Sequence, residues 1–578
     1  MKSFLRSFFA SLLALFVLFG FLFLISGFFF WQSGKKDRIA GHSYLVIDIY
    51  GKVLEYDPAP DILNKLMGRD PLTLQAILSA LEKAGADERI SGVIFKLSSS
   101  NTAGEAMMQE IRQGVKRIRK AGKKVYAYAD SIDRKTYFLA SCCDSVFMPP
   151  TAPFTFLGFS AASEHIKGTL EKLGIKPDIH RIEDYKSAAE MVTRREMSPE
   201  AKENGAWILE ERWEMFLQAL EKDRGFSEEE ILRLMRHAVF TAEEARQNRL
   251  IDEIFYWDEL EDLLKREEDP GLRVVSLSRY CLENPRKLGL GGSKKIAVIH
   301  AQGTIGGRKS GVSPFLGLMM GHKSVVAELR RAAEDDRIHA VVFRVNSGGG
   351  EALASDLIGH EVERTAGIKP VVVSMVDVAA SGGYHISYRA DKIVADPLTL
   401  TGSIGSISGK ANMKGLYNKL GVTWDFITKG PMALMYSDYR SFTPEEKRRF
   451  EENHWAGFND WLRDIAEHRG LPFSEAEKLA YGRVWTGRQA VANGLVDELG
   501  GLYEAAAIAK ELAGIPTQEG VSLVHYPKKQ GLLRLFFDGG IATLFRRAFH
   551  QLLRDELYEA RKLLEKKSYC IMNPFFLE

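Results

Sequence analysis

The chain repeats its own sequence, and this internal duplication constrains the fold more than any other feature. The matched blocks occur in the same order in both halves, pairing residues 44–53 with 295–305, 87–98 with 335–346, 124–150 with 371–397, and 240–254 with 485–499. In the second pair, for example, DERISGVIFKLS corresponds to DDRIHAVVFRVN. Self-similarity over ordered blocks indicates that one folding unit has been duplicated. We therefore predict two copies of one domain, each of about 240 residues.

Within each copy, β-branched runs alternate with longer stretches of helical periodicity, such as residues 74–84 and 325–333. This alternation favours βαβ units and a mostly parallel sheet, so we predict an α/β fold class. Residues 282–295, LENPRKLGLGGSKK, have the composition of an exposed linker. The predicted domains are therefore residues 39–281 and residues 296–525, joined by that linker.

The amino terminus has the pattern of a membrane anchor. Lys2 and Arg6 precede an uncharged, apolar run over residues 7–34, and Lys35 follows it. A secretory signal has an apolar region of about 7–15 residues, whereas a membrane span needs roughly 20. We therefore predict one uncleaved transmembrane helix within residues 1–38. Because positive charge flanks both ends of the run, the charge rule does not fix its orientation.

Composition argues against several functional classes. A formal net charge of +2 gives no basis for a nucleic-acid-binding surface. The four cysteines, Cys142, Cys143, Cys281 and Cys570, have no metal-binding spacing, and there is no Walker-type phosphate loop. The last segment, residues 526–578, is basic and amphipathic. It is suited either to an anionic membrane surface or to packing against the body of the protein or a neighbour.

Residues 371–397 contain a candidate nucleophile, Ser381. A β-branched run is followed there by Ala-Ala-Ser-Gly-Gly, which predicts a strand, a tight turn and a helix. Ser381 would begin the helix, among residues too small to cover its hydroxyl and beside backbone N–H groups that can face an anion. Such a turn also lets a helix pack closely on a sheet, and the residues alone leave both interpretations open. The first copy has Arg134 at this position, and residues 99–102 replace the glycine turn at residues 347–350.

A serine hydroxyl needs a base to accept its proton near neutral pH, and two residues are candidates. His385 lies one helical turn after Ser381, where two side chains can touch, but this position also suits a structural histidine. Lys186 belongs to the first copy and is followed by Ala188 and Ala189. An ordinary lysine has a pKa of about 10.4, and burial lowers it by up to 3–5 units. A dry seam between the two copies would supply that burial.

The chain also contains the motifs YKSAAE, NSGGG, VDVAASGGYHIS, TGSIGSIS and GRVWTGRQAVANGLVDELGG. Together they resemble the signal peptide peptidase A family, also called protease IV, in its long bacterial form with tandem domains. The resemblance covers nearly the whole chain. It implies a serine peptidase with the ββα superhelix fold shared by the Clp protease subunit and crotonase. It also implies that no cofactor is used and that the substrates are cleaved signal peptides and other unfolded or membrane-associated peptides.

The same resemblance implies the assembly and the location. Family members form a homotetramer with an apolar interior, and they are anchored in the lipid bilayer of the bacterial inner membrane by a single span. The catalytic body is expected in the periplasm.

Carried onto this sequence, the resemblance assigns the catalytic pair. Ser381 is the expected nucleophile and Lys186 the expected base, contributed by different copies. Ser403, in the motif TGSIGSIS, matches a hydroxyl that orients the lysine. A turn at the end of a strand would also explain a serine at this position, so that role stays open.

The oxyanion pocket is expected from backbone N–H groups. The resemblance assigns those of Gly349, Gly350 and Gly382. Family members usually have Ser-Pro-Gly-Gly in the glycine turn, and here Gly348 stands in place of the proline. Without the fixed φ of proline, the turn is expected to be looser.

Two other functions remain as alternatives. A crotonase-like enzyme acting on acyl-CoA would use a similar glycine pocket, but it would need a nucleotide site. A non-catalytic scaffold that gathers membrane partners would need no activated serine at all.

Overall fold

The computed structural model describes Gly20 and residues 39–57, 72–313 and 316–528. The strands of the first half are β1 (Ser43–Ile49), β2 (Val53–Leu54), β3 (Leu72–Thr73), β4 (Ile90–Leu97), β5 (Lys124–Ala129), β6 (Ser145–Met148), β7 (Phe154–Thr155), β8 (Lys176–Arg181), β9 (Val239–Phe240), β10 (Glu253–Ile254) and β11 (Arg273–Ser276). Those of the second half are β12 (Lys294–Gln302), β13 (Thr304–Ile305), β14 (Gly311–Ser313), β15 (Gly317–Met320), β16 (Ile338–Ser347), β17 (Val371–Ala380), β18 (Lys392–Ala395), β19 (Leu400–Gly402), β20 (Ile407–Asn412), β21 (Val484–Thr486), β22 (Glu498–Leu499) and β23 (Val521–Tyr526).

The helices of the first half are α1 (Leu74–Ala86), α2 (Glu105–Lys120), α3 (Arg134–Ala140), α4 (Lys167–Leu173), α5 (Glu190–Thr193), α6 (Pro199–Arg224), α7 (Glu228–His237), α8 (Ala242–Gln247), α9 (Trp257–Glu267) and α10 (Leu277–Tyr280). Those of the second half are α11 (His322–Glu334), α12 (Ala352–Ala366), α13 (Gly382–His385), α14 (Lys414–Lys419), α15 (Pro444–Arg469), α16 (Phe473–Leu479), α17 (Gly487–Ala492) and α18 (Leu502–Leu512). Short 3-10 turns occur at Ser187–Ala189 and Pro285–Leu288.

Each half builds a parallel sheet with the same strand order. The first sheet runs β10-β6-β5-β4-β1-β11. The second runs β22-β18-β17-β16-β12-β23, and each of its strands corresponds by sequence order to the strand in the same place of the first sheet. Strand β19 adds to β17, and β21 pairs with β19 in the antiparallel sense. The predicted α/β class with tandem repeats is therefore confirmed.

The two repeats share one hydrophobic core. Val298, Val342 and Val372, on one face of the second sheet, belong to the same buried cluster as Leu78 and Met107 of the first half. The opposite face of the second sheet packs in a separate cluster with α15 and α16. Because burial of apolar area is the main stabilising contribution to folding, a shared core fixes how the repeats sit against each other.

A strand from each repeat also pairs directly with the other. Strand β8 of the first half and β20 of the second form a two-stranded antiparallel ribbon, with Arg181 beside Ile407 at one end. Immediately beyond that end, the Ile182 N–H donates to the Ser406 carbonyl at 2.9 Å. The ribbon therefore fixes the position of the segments that continue from it in both repeats.

The predicted location in the bacterial inner membrane, as a single-pass protein with its body in the periplasm, needs correction. Within residues 39–57, 72–313 and 316–528, none of the helices combines the length and the apolar character that a bilayer crossing requires. Apart from Gly20, the apolar run at residues 7–34 lies outside the described residues, as does the amphipathic tail from residue 529 onward. The predicted domain limits stay a prediction.

Candidate active site

Ser381 lies in a strained turn at the carboxyl end of β17. Its φ is 55° and its ψ is −117°, and the short helix α13 begins at the next residue. A side chain other than glycine in this region costs of order 1–3 kcal/mol, and such strain is concentrated at functional sites. The turn is held by the Ser381 N–H, which donates to the Gly402 carbonyl at 2.8 Å. The predicted strand, turn and helix are all present, although the helix has only four residues.

Lys186 reaches Ser381 from the other repeat. It follows β8 and precedes the 3-10 turn Ser187–Ala189. Its Nζ lies 3.0 Å from Ser381 Oγ, 2.9 Å from Ser403 Oγ and 2.7 Å from the Ser403 carbonyl oxygen. A neutral amine has two N–H donors and one lone pair. Two donations to Ser403 would therefore leave the lone pair for the proton of Ser381.

Burial sets the protonation of this amine. Lys186 is only 6% exposed, and desolvation lowers its pKa from 10.5 to about 7. The covering comes from second-repeat turns packed tightly on the lysine, since a Cβ on Gly482 would lie 2.4 Å from Lys186 Cα. A lysine in such an environment is available as a base near neutral pH.

The backbone of Ser403 is held in the same way as that of Ser381. It also has a positive φ, of 50°, and its N–H donates to the Arg483 carbonyl at 2.7 Å. Both its carbonyl and its hydroxyl lie within hydrogen-bond distance of the amine. The family resemblance had pointed to the hydroxyl alone.

The glycine turn lies against the nucleophile, but its N–H groups are not equivalent. The Gly349 N–H donates to Ser347 Oγ at 3.2 Å. Among the described residues, the N–H groups of Gly350 and Gly382 have no recorded hydrogen bond. They also lie near each other, since a Cβ on Gly382 would be 3.0 Å from Gly350 N. The arrangement therefore favours Gly350 and Gly382 over Gly349 as donors to an oxyanion.

His385, the other candidate base, points elsewhere. Its ring stacks on Trp461, with centroids 4.8 Å apart and planes 12° apart. Its Nε2 lies 3.7 Å from Asp356 Oδ1. Within the part of the chain that the structure describes, the imidazole makes no hydrogen bond to Ser381. These contacts fit the structural interpretation of this histidine.

The equivalent place in the first repeat is filled by charged side chains. Arg134, which corresponds to Ser381, donates from Nη1 to Glu105 Oε1 at 3.0 Å and lies over the ring of Phe159. Arg212 Nε is 3.2 Å from the other oxygen of Glu105. This arrangement offers no nucleophile.

A buried arginine that sequence reasoning did not single out joins the two repeats. Arg344, in β16, is fully buried, and its Nε donates to Glu55 Oε1 at 2.9 Å. It also pairs with Glu110 and bonds Ser374. The sequence contained a signal for this role, since Arg344 is a charged residue in the middle of the strand sequence VVFRVN.

Among the described residues, no cluster of His, Cys, Asp and Glu side chains has the make-up of a metal site.

Comparison with known proteins supplies independent information. The profile of peptidase family S49 matches residues 117–269 and 363–516. The chain is 34% identical to "Serine protease SPPA, chloroplastic" of Arabidopsis thaliana, over 82% of this chain and 71% of that protein. It is 29% identical to "Protease 4" of Salmonella typhi, over 91% of this chain and 88% of that protein. A shorter protein of Enterococcus faecium, "Putative signal peptide peptidase SppA", is 35% identical over 31% of this chain and 52% of its own length.

Proposed function

The chain belongs to peptidase family S49 and is a serine peptidase, and on that premise we propose that Ser381 and Lys186 form its catalytic pair. The observation that carries the proposal is the 3.0 Å distance between Lys186 Nζ and Ser381 Oγ. The two residues come from different repeats, so a monomer with both repeats in place has a complete pair.

The proposed reaction is acyl transfer to Ser381. Neutral Lys186 accepts the hydroxyl proton while Oγ attacks the carbonyl carbon of a peptide bond, giving a tetrahedral oxyanion. The N–H groups of Gly350 and Gly382 stabilise that oxyanion, a contribution worth about 10²–10³ in turnover for each donor. Lys186 then gives its proton to the leaving amine. Water, deprotonated by the same amine, hydrolyses the acyl-enzyme and restores the serine.

Ser403 has a supporting role in this proposal. Its carbonyl and hydroxyl oxygens accept the two N–H groups of the neutral amine, which directs the lone pair at Ser381. A fixed direction matters because proton transfer needs the two heavy atoms within about 2.6–3.2 Å.

Peptides are the substrate class, and we propose that cleaved signal peptides and other unfolded apolar peptides are the physiological substrates. The name of the Enterococcus faecium relative, "Putative signal peptide peptidase SppA", supports this choice. Small or apolar side chains are expected near the cleaved bond, because such peptides offer little else.

Peptidase activity should depend on pH through the lysine. Burial lowers the pKa of Lys186 to about 7, so the amine is protonated and inactive below this pH and neutral above it. We expect kcat/KM to fall about tenfold for each pH unit below 7 and to level off above it. The measurement is kcat/KM for a fluorogenic apolar peptide between pH 5 and 9. A value of kcat/KM that still rises about tenfold per pH unit up to pH 9 would contradict the proposal, because it would indicate a solvated lysine.

We also propose assembly as a homotetramer. The segment between α14 and α15 exposes large apolar side chains, including Leu420, Trp424, Ile427 and Tyr436. An apolar patch of this kind is typical of an interface between subunits. Sedimentation of the chain is expected to give four times 64.8 kDa, and Ile427→Asp is expected to lower that mass. A monomeric wild-type chain would contradict the proposal.

A further inference from the structure

Three polar side chains, His180, His454 and Ser406, form a hydrogen-bonded series at the end of the β8–β20 ribbon. His454, in the long helix α15, places Nδ1 2.7 Å from His180 Nδ1 in β8. Its other ring nitrogen, Nε2, lies 2.8 Å from Ser406 Oγ. The hydrogen bonds therefore connect an element of the first repeat with a loop of the second through one imidazole.

His180 and Ser406, at the two ends of this series, are close in sequence to Lys186 and Ser403. Lys186 lies five residues after the end of β8, and Ser403 lies four residues before the start of β20. Because β8 and β20 pair in the antiparallel sense, both segments leave the ribbon at the same end. His454 thus contacts both segments on the side from which they approach the active site.

The hydrogen bonds limit the protonation of the two rings. Two nitrogens 2.7 Å apart need one N–H and one lone pair between them, so at most one of the two imidazoles can be protonated. Desolvation by burial, and then the neighbouring His180, lower the pKa of His454 to about 4. Burial also lowers the pKa of His180, which faces Glu451 and Lys447 of α15. His454 is therefore neutral throughout the pH range in which the lysine titrates, and burial favours the neutral form of His180 as well.

We propose that His454 is a positioning residue for the catalytic lysine, holding Ser406 so that the Ser403 oxygens stay aligned with the amine. This inference rests on the proposed catalytic pair. Ser403 has a positive φ, and its N–H donates to the Arg483 carbonyl. Two further backbone bonds hold the short loop that follows, from the Gly482 N–H to the Ile404 carbonyl at 2.8 Å and from the Ile182 N–H to the Ser406 carbonyl at 2.9 Å. The Ser406 hydroxyl bond to His454 restrains the other end of the same short loop. Without it, the Ser406 end of the loop keeps only its backbone bond to Ile182, and a shift of the loop would turn the Ser403 oxygens, and with them the lone pair of Lys186, away from Ser381.

The test replaces His454 by phenylalanine, which keeps the ring and removes both hydrogen bonds. We expect kcat to fall about 10- to 100-fold, with KM changed less than twofold, because a misplaced catalytic group affects the chemical step. We also expect the midpoint of the pH profile to move, since the environment of Lys186 changes with the loop. Ser406→Ala should show the same changes, whereas Ser406→Thr, which keeps a hydroxyl, should remain close to wild type.

The matched control is His468→Phe, at the far end of the same helix, where the histidine pairs with Asp464. It is expected to leave kcat and the pH midpoint unchanged. If His454→Phe does not fold, Ser406→Ala provides the same readout by removal of one oxygen atom. Wild-type kcat and pH midpoint in the folded His454 and Ser406 variants would overturn the inference. Ser381→Ala separates this outcome from failure of the proposed function. Full activity in that variant would show that Ser381 and Lys186 are not the catalytic pair.

Discussion

Replacement of Ser381 by alanine is expected to lower peptide turnover by at least about 10⁴-fold while leaving the fold intact. Without Oγ no acyl-enzyme can form, and what remains is binding and the oxyanion donors. The substitution also removes a single oxygen atom from a position surrounded by small residues, so the thermal midpoint is expected to change little. The measurement is kcat for an apolar peptide, together with labelling by a fluorophosphonate that reacts with activated serines.

Wild-type protein should be labelled at Ser381, and the alanine variant should not be labelled at all. Turnover that survives in Ser381→Ala would mean either a different nucleophile or a contaminating peptidase. Wild-type protein that neither cleaves peptides nor reacts with the probe would instead favour the non-catalytic scaffold.

Replacement of Lys186 by methionine is expected to lower turnover about 10³-fold and to stabilise the protein. The loss follows from removal of the base, whose contribution is typically 10²–10⁴-fold. The gain in stability follows from the buried amine. The unfolded chain keeps the lysine proton up to about pH 10.5, whereas the folded chain releases it near pH 7.

Between these two pH values the unfolded state binds more protons, so wild-type stability rises with pH. At pH 7 the burial of this group costs about 4 kcal/mol, which is the upper limit of the stabilisation by Lys186→Met. The free energy of unfolding from urea titrations measures it. A variant that is less active and also less stable would indicate that Lys186 has a structural role.

His385→Ala is the control that separates the two candidate bases. Its imidazole stacks on Trp461 and faces Asp356. Removal of the ring is therefore expected to lower the free energy of unfolding but to leave the pH dependence of turnover unchanged. Loss of turnover in His385→Ala, with unchanged turnover in Lys186→Met, would reverse the assignment of the base.

Much of the architecture could be predicted from the repeated blocks. A duplicated pattern of strands and helices gives two sheets of the same order, and residues 325–333, for example, lie in the observed helix His322–Glu334. The small residues around Ser381 likewise predicted a strand, a turn and a helix. Its positive φ was not predictable, because only the packing of the surrounding turns imposes that conformation on a serine.

The rest of the site depends on contacts between distant residues. Ser381 and Lys186 are 195 positions apart, and nothing local distinguishes Lys186 from a surface lysine. Only the family resemblance selected it, and the low pKa is a consequence of tertiary burial. The engagement of the Gly349 N–H by Ser347 and the bonds of His454 also arise from tertiary packing, which neither composition nor periodicity encodes.

The central claim is that a neutral Lys186 activates Ser381, and the pH dependence of serine acylation tests it most directly. The rate of fluorophosphonate reaction at Ser381 should be measured between pH 5 and 9 in wild type and in Lys186→Met. We predict that the wild-type rate rises with a midpoint near pH 7 and that the variant reacts slowly, with no inflection in this range. The same midpoint and comparable rates in both proteins would contradict the account.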